Sequence, residues 1–180
     1  DKYGTAFRVS LPAYGYRIFR VFTESKPENT FDEIYVDEHT IDNGRVRVEL
    51  DSLTGEISRF YDKRNERELL AGRTSTLFLD ETSCDTWAHD RVSLGETIAY
   101  FGEPEFSVIE RGCVRSTIRV TTRCEHSMIR RDYTLTADSD ELSVHMVVDF
   151  REKHRTLKLS LPVDGETVSA AIPFGSFERP

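Results

Sequence analysis

A chain of 180 residues holds one large domain, or one small domain plus part of another, and at roughly 150 residues a chain already buries about 70% of its unfolded surface. Its composition, 38% hydrophobic and 31% charged, is that of an ordinary globular protein. The net charge of −8 and pI of 5.2 argue against a nucleic-acid partner, which calls for a basic face, and no run approaches the roughly 20 apolar residues that cross a bilayer, so no membrane partner is expected.

The N-terminus, Asp1-Lys2-Tyr3-Gly4, has neither a starting Met nor the features of a signal peptide, and it reads as cut from something longer. Residues 5–22 read as two strands joined at Pro12-Ala13-Tyr14-Gly15. Residues 23–32 are polar, with Pro27 and Asn29, and read as a linker. This sets a boundary near residue 30, with residues 1–30 as one unit and 31–180 as a second. A lone hairpin is marginal in water, so the first unit must add to a further sheet or pack on the second.

From there period two dominates. Arg45-Val46-Arg47-Val48-Glu49-Leu50 alternates strictly, so that Val46, Val48 and Leu50 share one face of a half-buried strand. The pattern recurs at Thr117-Ile118-Arg119-Val120 and over 129–135, 142–150 and 157–161. Turn signals separate these runs: Asp42-Asn43-Gly44, residues 51–55, Asp138-Ser139-Asp140 and Val163-Asp164-Gly165. Only residues 65–70 have a helix-like composition, enough for a turn or two. The fold class expected is all-β, an antiparallel β-sandwich, and no α/β barrel is encoded.

Three cysteines, Cys84, Cys113 and Cys124, lie far apart with no Cys-x-x-Cys spacing. They read as free thiols of a reducing compartment, hence a cytoplasmic protein. The densest mixture of chemical groups is Asp85-Thr86-Trp87-Ala88-His89-Asp90. An indole offers a flat apolar face to a sugar ring, and carboxylates and imidazole bond sugar hydroxyls. Asp85, Trp87 and His89 are therefore candidate substrate-proximal residues. The competing reading is that Trp87 plugs the end of the sandwich and Asp85 caps a turn. His89 and Asp90 are adjacent and point apart in an extended chain, and His39, His126, His145 and His154 are scattered, so no metal site and no metal ligand is assigned here. His145 alternates with Val144 and Met146 and is expected on the wet side of its strand. Arg115, Arg119 and Arg123 share one face with Thr117 and Thr121, which reads as a solvated sheet face. No nucleophile elbow, phosphate loop or dinucleotide fingerprint occurs, and no catalytic residue is assigned.

Seven strings then stand out in order: residues 11–16 (LPAYGY), 40–45 (TIDNGR), 53–58 (LTGEIS), 61–65 (YDKRN), 85–89 (DTWAH), 130–133 (RRDY) and 172–180 (IPFGSFERP). Their order, across nearly the whole chain, resembles family 38 α-mannosidases, most closely the shorter microbial members. The resemblance implies a parent that is a retaining exo-α-mannosidase, with a catalytic α/β barrel, a helical bundle and then β-domains. Zinc, its ligands and the nucleophilic Asp are implied for the barrel, whose motifs do not occur here. The resemblance makes residues 1–30 the last strands of a small central β-domain and residues 31–180 part of a large sandwich similar to galactose mutarotase. That sandwich would pack on the barrel and helical domain, its partners, and shape one side of a mannoside or oligosaccharide site. Two other readings compete: a stand-alone carbohydrate-binding sandwich, which needs an exposed aromatic platform, and a self-sufficient mutarotase-like enzyme, which needs a converging His and Glu.

Overall fold

The computed structural model describes residues 6–20, 34–83, 95–165 and 167–179, and among these every regular element is a strand. Strands β1 (Tyr35–Val36), β2 (Thr40–Asp42), β3 (Val46–Leu50), β4 (Ile57–Asp62) and β5 (Arg67–Glu68) form an antiparallel meander in chain order. Strands β6 (Ser75–Asp80) and β7 (Thr97–Tyr100) make a second sheet with β12 (Arg155–Ser160), in the order β12-β6-β7. Strands β8 (Gly102–Glu110), β9 (Arg115–Cys124), β10 (Ser127–Thr136) and β11 (Ser143–Asp149) make a third, in the order β11-β10-β9-β8. A separate hairpin, β13 (Val168–Ile172) and β14 (Gly175–Arg179), follows.

The turns form where side chains can satisfy backbone donors. Asn43 Oδ1 accepts from the Arg45 and Val46 amides while Gly44 takes a φ of 83°, so the Asp-Asn-Gly signal closes the β2–β3 hairpin. Asp51 Oδ1 accepts from the Leu53 and Thr54 amides in the turn that ends at Gly55.

The β8–β11 sheet carries the packing. Strands β9 and β10 have ten residues each, about 33 Å at roughly 3.3 Å per residue, enough to seat two smaller sheets side by side on one face. Ile118 and Val120 of β9 and Tyr133 and Leu135 of β10 pack on Ile41, Val46, Val48, Leu50 and Ile57 of the meander. At the other end, Cys124 of β9 and Ile129 of β10 pack with Phe78 and Phe101, the two rings meeting edge to face at 5.0 Å. The result is the all-β antiparallel sandwich that the alternation predicts. Val46, Val48 and Leu50 face inward, with Arg47 and Glu49 opposite.

Two local expectations are corrected. Residues 65–70 form no helix: Asp62 Oδ1 accepts from the Arg64 and Asn65 amides and Glu66 takes a φ of 50°, which turns the chain back so that Arg67 pairs with Asp62 in β5. Residues 6–20 contain the anticipated turn, with the Gly15 amide donating to the Pro12 carbonyl at 3.2 Å, but no strand ladder. The two arms touch through Phe7 and Phe19, whose ring centroids lie 5.8 Å apart.

Gly55 is the tightest point between sheets. Its φ is 72°, and a Cβ there would lie 2.7 Å from Val120 Cγ1 and 2.9 Å from Pro104 Cβ. Pro104, which lacks an N–H, occupies the register shift between Gly102 and Glu105 in β8. Gly44 has a similar φ but open space around it. Gly44→Ala is therefore expected to cost about 1 kcal/mol for the left-handed backbone alone, and Gly55→Ala about 2–4 kcal/mol because overpacking adds to it. Urea unfolding of both variants measures the difference; equal losses would mean that the sheets do not meet at Gly55.

Candidate functional site

On β10 the period of two points Ile129, Arg131, Tyr133 and Leu135 inward, so a cation lies on an otherwise apolar face. Arg131 is 1% exposed and sits between the two apolar clusters. A buried charge requires an opposite charge and hydrogen bonds. Glu56, 3% exposed and placed by the Gly55 turn just before β4, supplies both. Arg131 Nη2 donates to Glu56 Oε1 at 3.1 Å and to Thr76 Oγ1 at 2.6 Å. Glu56 Oε2 accepts from the Thr74 hydroxyl at 2.8 Å, and that hydroxyl oxygen accepts from the Ile57 amide at 3.0 Å. The Thr74 amide donates in turn to the Ile57 carbonyl. One guanidinium thus ties β10 to the start of β4 and the start of β6.

Two of its nitrogens, Nε and Nη1, are buried without a hydrogen-bond partner. The Tyr133 hydroxyl is near enough for the guanidinium charge to act on it. Burial dominates, however, and pushes this phenol up to about 12, against the pull of Arg131.

Beside the pair lies a cleft of about 130 Å³. Glu56, Thr74, Thr76 and the apolar Phe101 are the buried part of its wall, Thr54 and Ser75 add hydroxyls, and Tyr100, 62% exposed, stands at the mouth. Arg73, also at the mouth, donates to Asp51 Oδ2 at 3.0 Å. The wall combines neutral hydroxyl groups and a compensated carboxylate with the rings of Tyr100 and Phe101, a surface that can exchange hydrogen bonds with a hydroxylated ligand and cover its apolar side.

Asp85, Trp87 and His89, the residues expected near substrate, lie outside the described residues, as does Cys84. Among the described residues no three His, Cys, Asp or Glu side chains converge as a metal site, so the zinc implied by the resemblance finds no donor set among them. His39 packs on Phe106, His126 meets Glu152, and His145 is exposed on β11 as its alternation predicts.

Arg115, Arg119 and Arg123 share the outer face of β9, where each meets a carboxylate: Glu110 at 2.8 Å, Asp132 at 2.7 Å and Glu105 at 3.6 Å. The two-pronged Arg119 contact holds the Asp132 carboxyl below its usual range. The pair that sequence reasoning missed, Arg131 and Glu56, was signalled in part: the alternation that places Ile129 and Leu135 inward also places Arg131 inward.

Arg131→Met leaves Glu56 buried and uncompensated, with an expected loss of about 3–5 kcal/mol, whereas Arg131→Met combined with Glu56→Leu recovers a large share of it. A double-mutant cycle by urea unfolding reads the coupling, and additivity within about 0.5 kcal/mol would deny the pair. Tyr133 gives a second handle. An unfolded tyrosine titrates near 10 and the folded one near 12, so between these values the folded state binds the extra proton and stability falls as pH rises. Alkaline unfolding should show a loss of about 2–3 kcal/mol across pH 10–12, and Tyr133→Phe should remove it.

Against known families, residues 41–180 match the glycosyl hydrolases family 38 C-terminal domain. No curated protein matches the chain. The match covers both partners of the buried pair, the cleft and, apart from β1 and the first residue of β2, every strand of the sandwich. An all-β sandwich whose residues match that domain over most of its length is a non-catalytic part of a glycoside hydrolase: the chain belongs to the family 38 C-terminal domains.

Proposed function

We propose that the parent enzyme is an α-mannosidase that hydrolyses terminal α-mannosidic bonds with retention, and that this sandwich buttresses its catalytic barrel. The observation that carries the reading is the family 38 match over residues 41–180, joined to the ordered strings from residue 11 to residue 180 that resemble α-mannosidases of that family. Retention requires a carboxylate nucleophile and a glycosyl-enzyme intermediate. In this reading the nucleophile and the zinc belong to the barrel, and the sandwich holds one wall of the sugar site through Asp85, Trp87 and His89.

The surface supports a packed role. Phe7, Leu11, Tyr14, Tyr16 and Ile18 are exposed on the N-terminal arms, and Val168, Ile172, Phe174 and Phe177 on the β13–β14 hairpin. Large apolar groups concentrated on two projecting segments are what an interface with another domain requires. The barrel and helical domain of the parent are the proposed occupants, and the cytoplasm the proposed compartment.

The full-length enzyme should release α-mannose first from a chromogenic α-mannoside, as seen by proton NMR, and lose turnover when zinc is chelated. β-mannose as first product, or zinc-independent turnover, would sink the proposal. Trp87→Ala should raise KM about tenfold, the scale of one lost aromatic contact. An unchanged KM with a lowered Tm would assign Trp87 to plugging the sandwich instead.

A further inference from the structure

The cleft between the Gly55 turn and the β6–β7 pair has no part in that division of labour. We propose that it is a binding subsite for a single neutral pyranose ring, carried by the sandwich itself. Charge selects the ligand class first. Glu56 in the wall is neutralised by Arg131 behind it, and Arg73 at the mouth is already held by Asp51. An anionic or cationic ligand would bring a charge with no counterpart into a low-dielectric wall, while a neutral polyol brings none.

Hydrogen-bonding capacity selects next. Both groups that Arg131 bonds, Glu56 and Thr76, belong to the cleft wall, so the guanidinium lies directly behind it. Thr76 Oγ1 accepts from Arg131 and keeps its own proton to donate, and Glu56 Oε1 retains a further lone pair. A wall that offers donors and acceptors side by side suits vicinal hydroxyls, each of which both gives and takes a hydrogen bond.

Shape selects last. A cleft of about 130 Å³ is well below the roughly 300–1,000 Å³ of a site for drug-sized ligands, and it matches one ring rather than an oligosaccharide. Tyr100 at the mouth presents an exposed aromatic face to the C–H side of that ring. Further sugar units would run outward past Tyr100 into solvent. The subsite therefore reads one residue of a longer glycan. The proposal stands on the cleft's own geometry and does not depend on which bond the parent cleaves.

The test uses the full-length enzyme with its catalytic site saturated by a tight competitive inhibitor, titrated calorimetrically with methyl α-D-mannopyranoside. If the parent turns over no mannoside, the same titration is run without the inhibitor, so the fate of the cleft is separable from the fate of the functional reading. One saturable site with a Kd of about 1 mM is expected, the range of a weak single-ring contact. Tyr100→Ala should weaken it about tenfold without lowering Tm, since this side chain is mostly exposed, and Tyr100→Phe should restore it to within about threefold. A crystal grown with the glycoside should show the ring against Thr76 and Glu56. No binding, binding indifferent to Tyr100→Ala, or a cleft holding ordered water only would overturn the proposal.

Discussion

The Arg131–Glu56 contact fixes the sandwich more than any single apolar contact does. An ion pair taken out of water gains little net stability, because desolvation of both charges offsets their attraction. Its effect is on alternatives. Were β10 to slip by one residue in one direction, Asp132 would take the place of Arg131 and set a carboxylate beside Glu56; in the other, Arg130 would take it, and every apolar side chain of the strand would still turn outward. The apolar residues would also reverse, but an apolar face tolerates small errors of position, and a 3.1 Å ion pair does not. The contact and the apolar alternation together select one register of β10 against β9 and β11, and the contact fixes the placement of the Gly55 turn over it.

The same contact explains how one long sheet supports two short ones. Strand β10 delivers Tyr133 and Leu135 to the meander and Ile129 to the cluster around Phe78. At the seam between them, neither short sheet supplies a continuous apolar cover. The backbone at 56–57 and at 74 meets there and bonds to itself, and Thr74 and Thr76 carry the hydroxyls that accept what the seam leaves over. A polar seam is thus the natural consequence of butting two sheets against one, and Arg131 is long enough to fill it while its charge is answered from the far side. The cleft is the part of the seam that is not filled.

Legibility in the sequence followed the range of the interactions. Alternation in β3, β9 and β10 and the turn at Asn43-Gly44 are local, and each was readable residue by residue. The inward position of Arg131 was equally local and was passed over, because neighbouring Arg130 and Asp132 make the segment look like a solvated face. Glu56 lies 75 residues away in a turn, and nothing in the chain between announces the pairing. The helix expected at residues 65–70 failed for the opposite reason: intrinsic propensity favoured it, but the Asp62 side chain capped a reverse turn and pairing with β4 took the segment. Residues 6–20 carry strand-like alternation without a ladder, since alternation prepares a face and a strand still needs a neighbour to pair with. Asp85, Trp87 and His89 fall outside the described residues.

The two kinds of surface on this domain argue for an ordered division of its contacts. On the outer face of the β8–β11 sheet, Arg115, Arg119 and Arg123 are each met by a carboxylate of the same sheet, so the face is satisfied before any partner arrives. Pairing of this kind lowers the gain from docking, because a partner would have to dehydrate charges that already have their counterparts. The β13–β14 hairpin and the N-terminal arms expose Phe, Ile and Val, and the edge strand β11 exposes Val144, Val147 and Val148. Apolar area removed from water contributes about 25 cal/mol per Å², so covering these segments would favour the docking proposed above more than covering the paired charges of β9. For a domain of a larger hydrolase this supports the proposed seating through the N-terminal arms and the β13–β14 hairpin, with the paired charges of β9 left to solvent. Seated in that way, the β6–β7 pair and its cleft are held by the same polar seam that sets the register of the sandwich. A ligand there would meet a rigid wall, because moving Thr76 or Glu56 means breaking the bonds that hold Arg131.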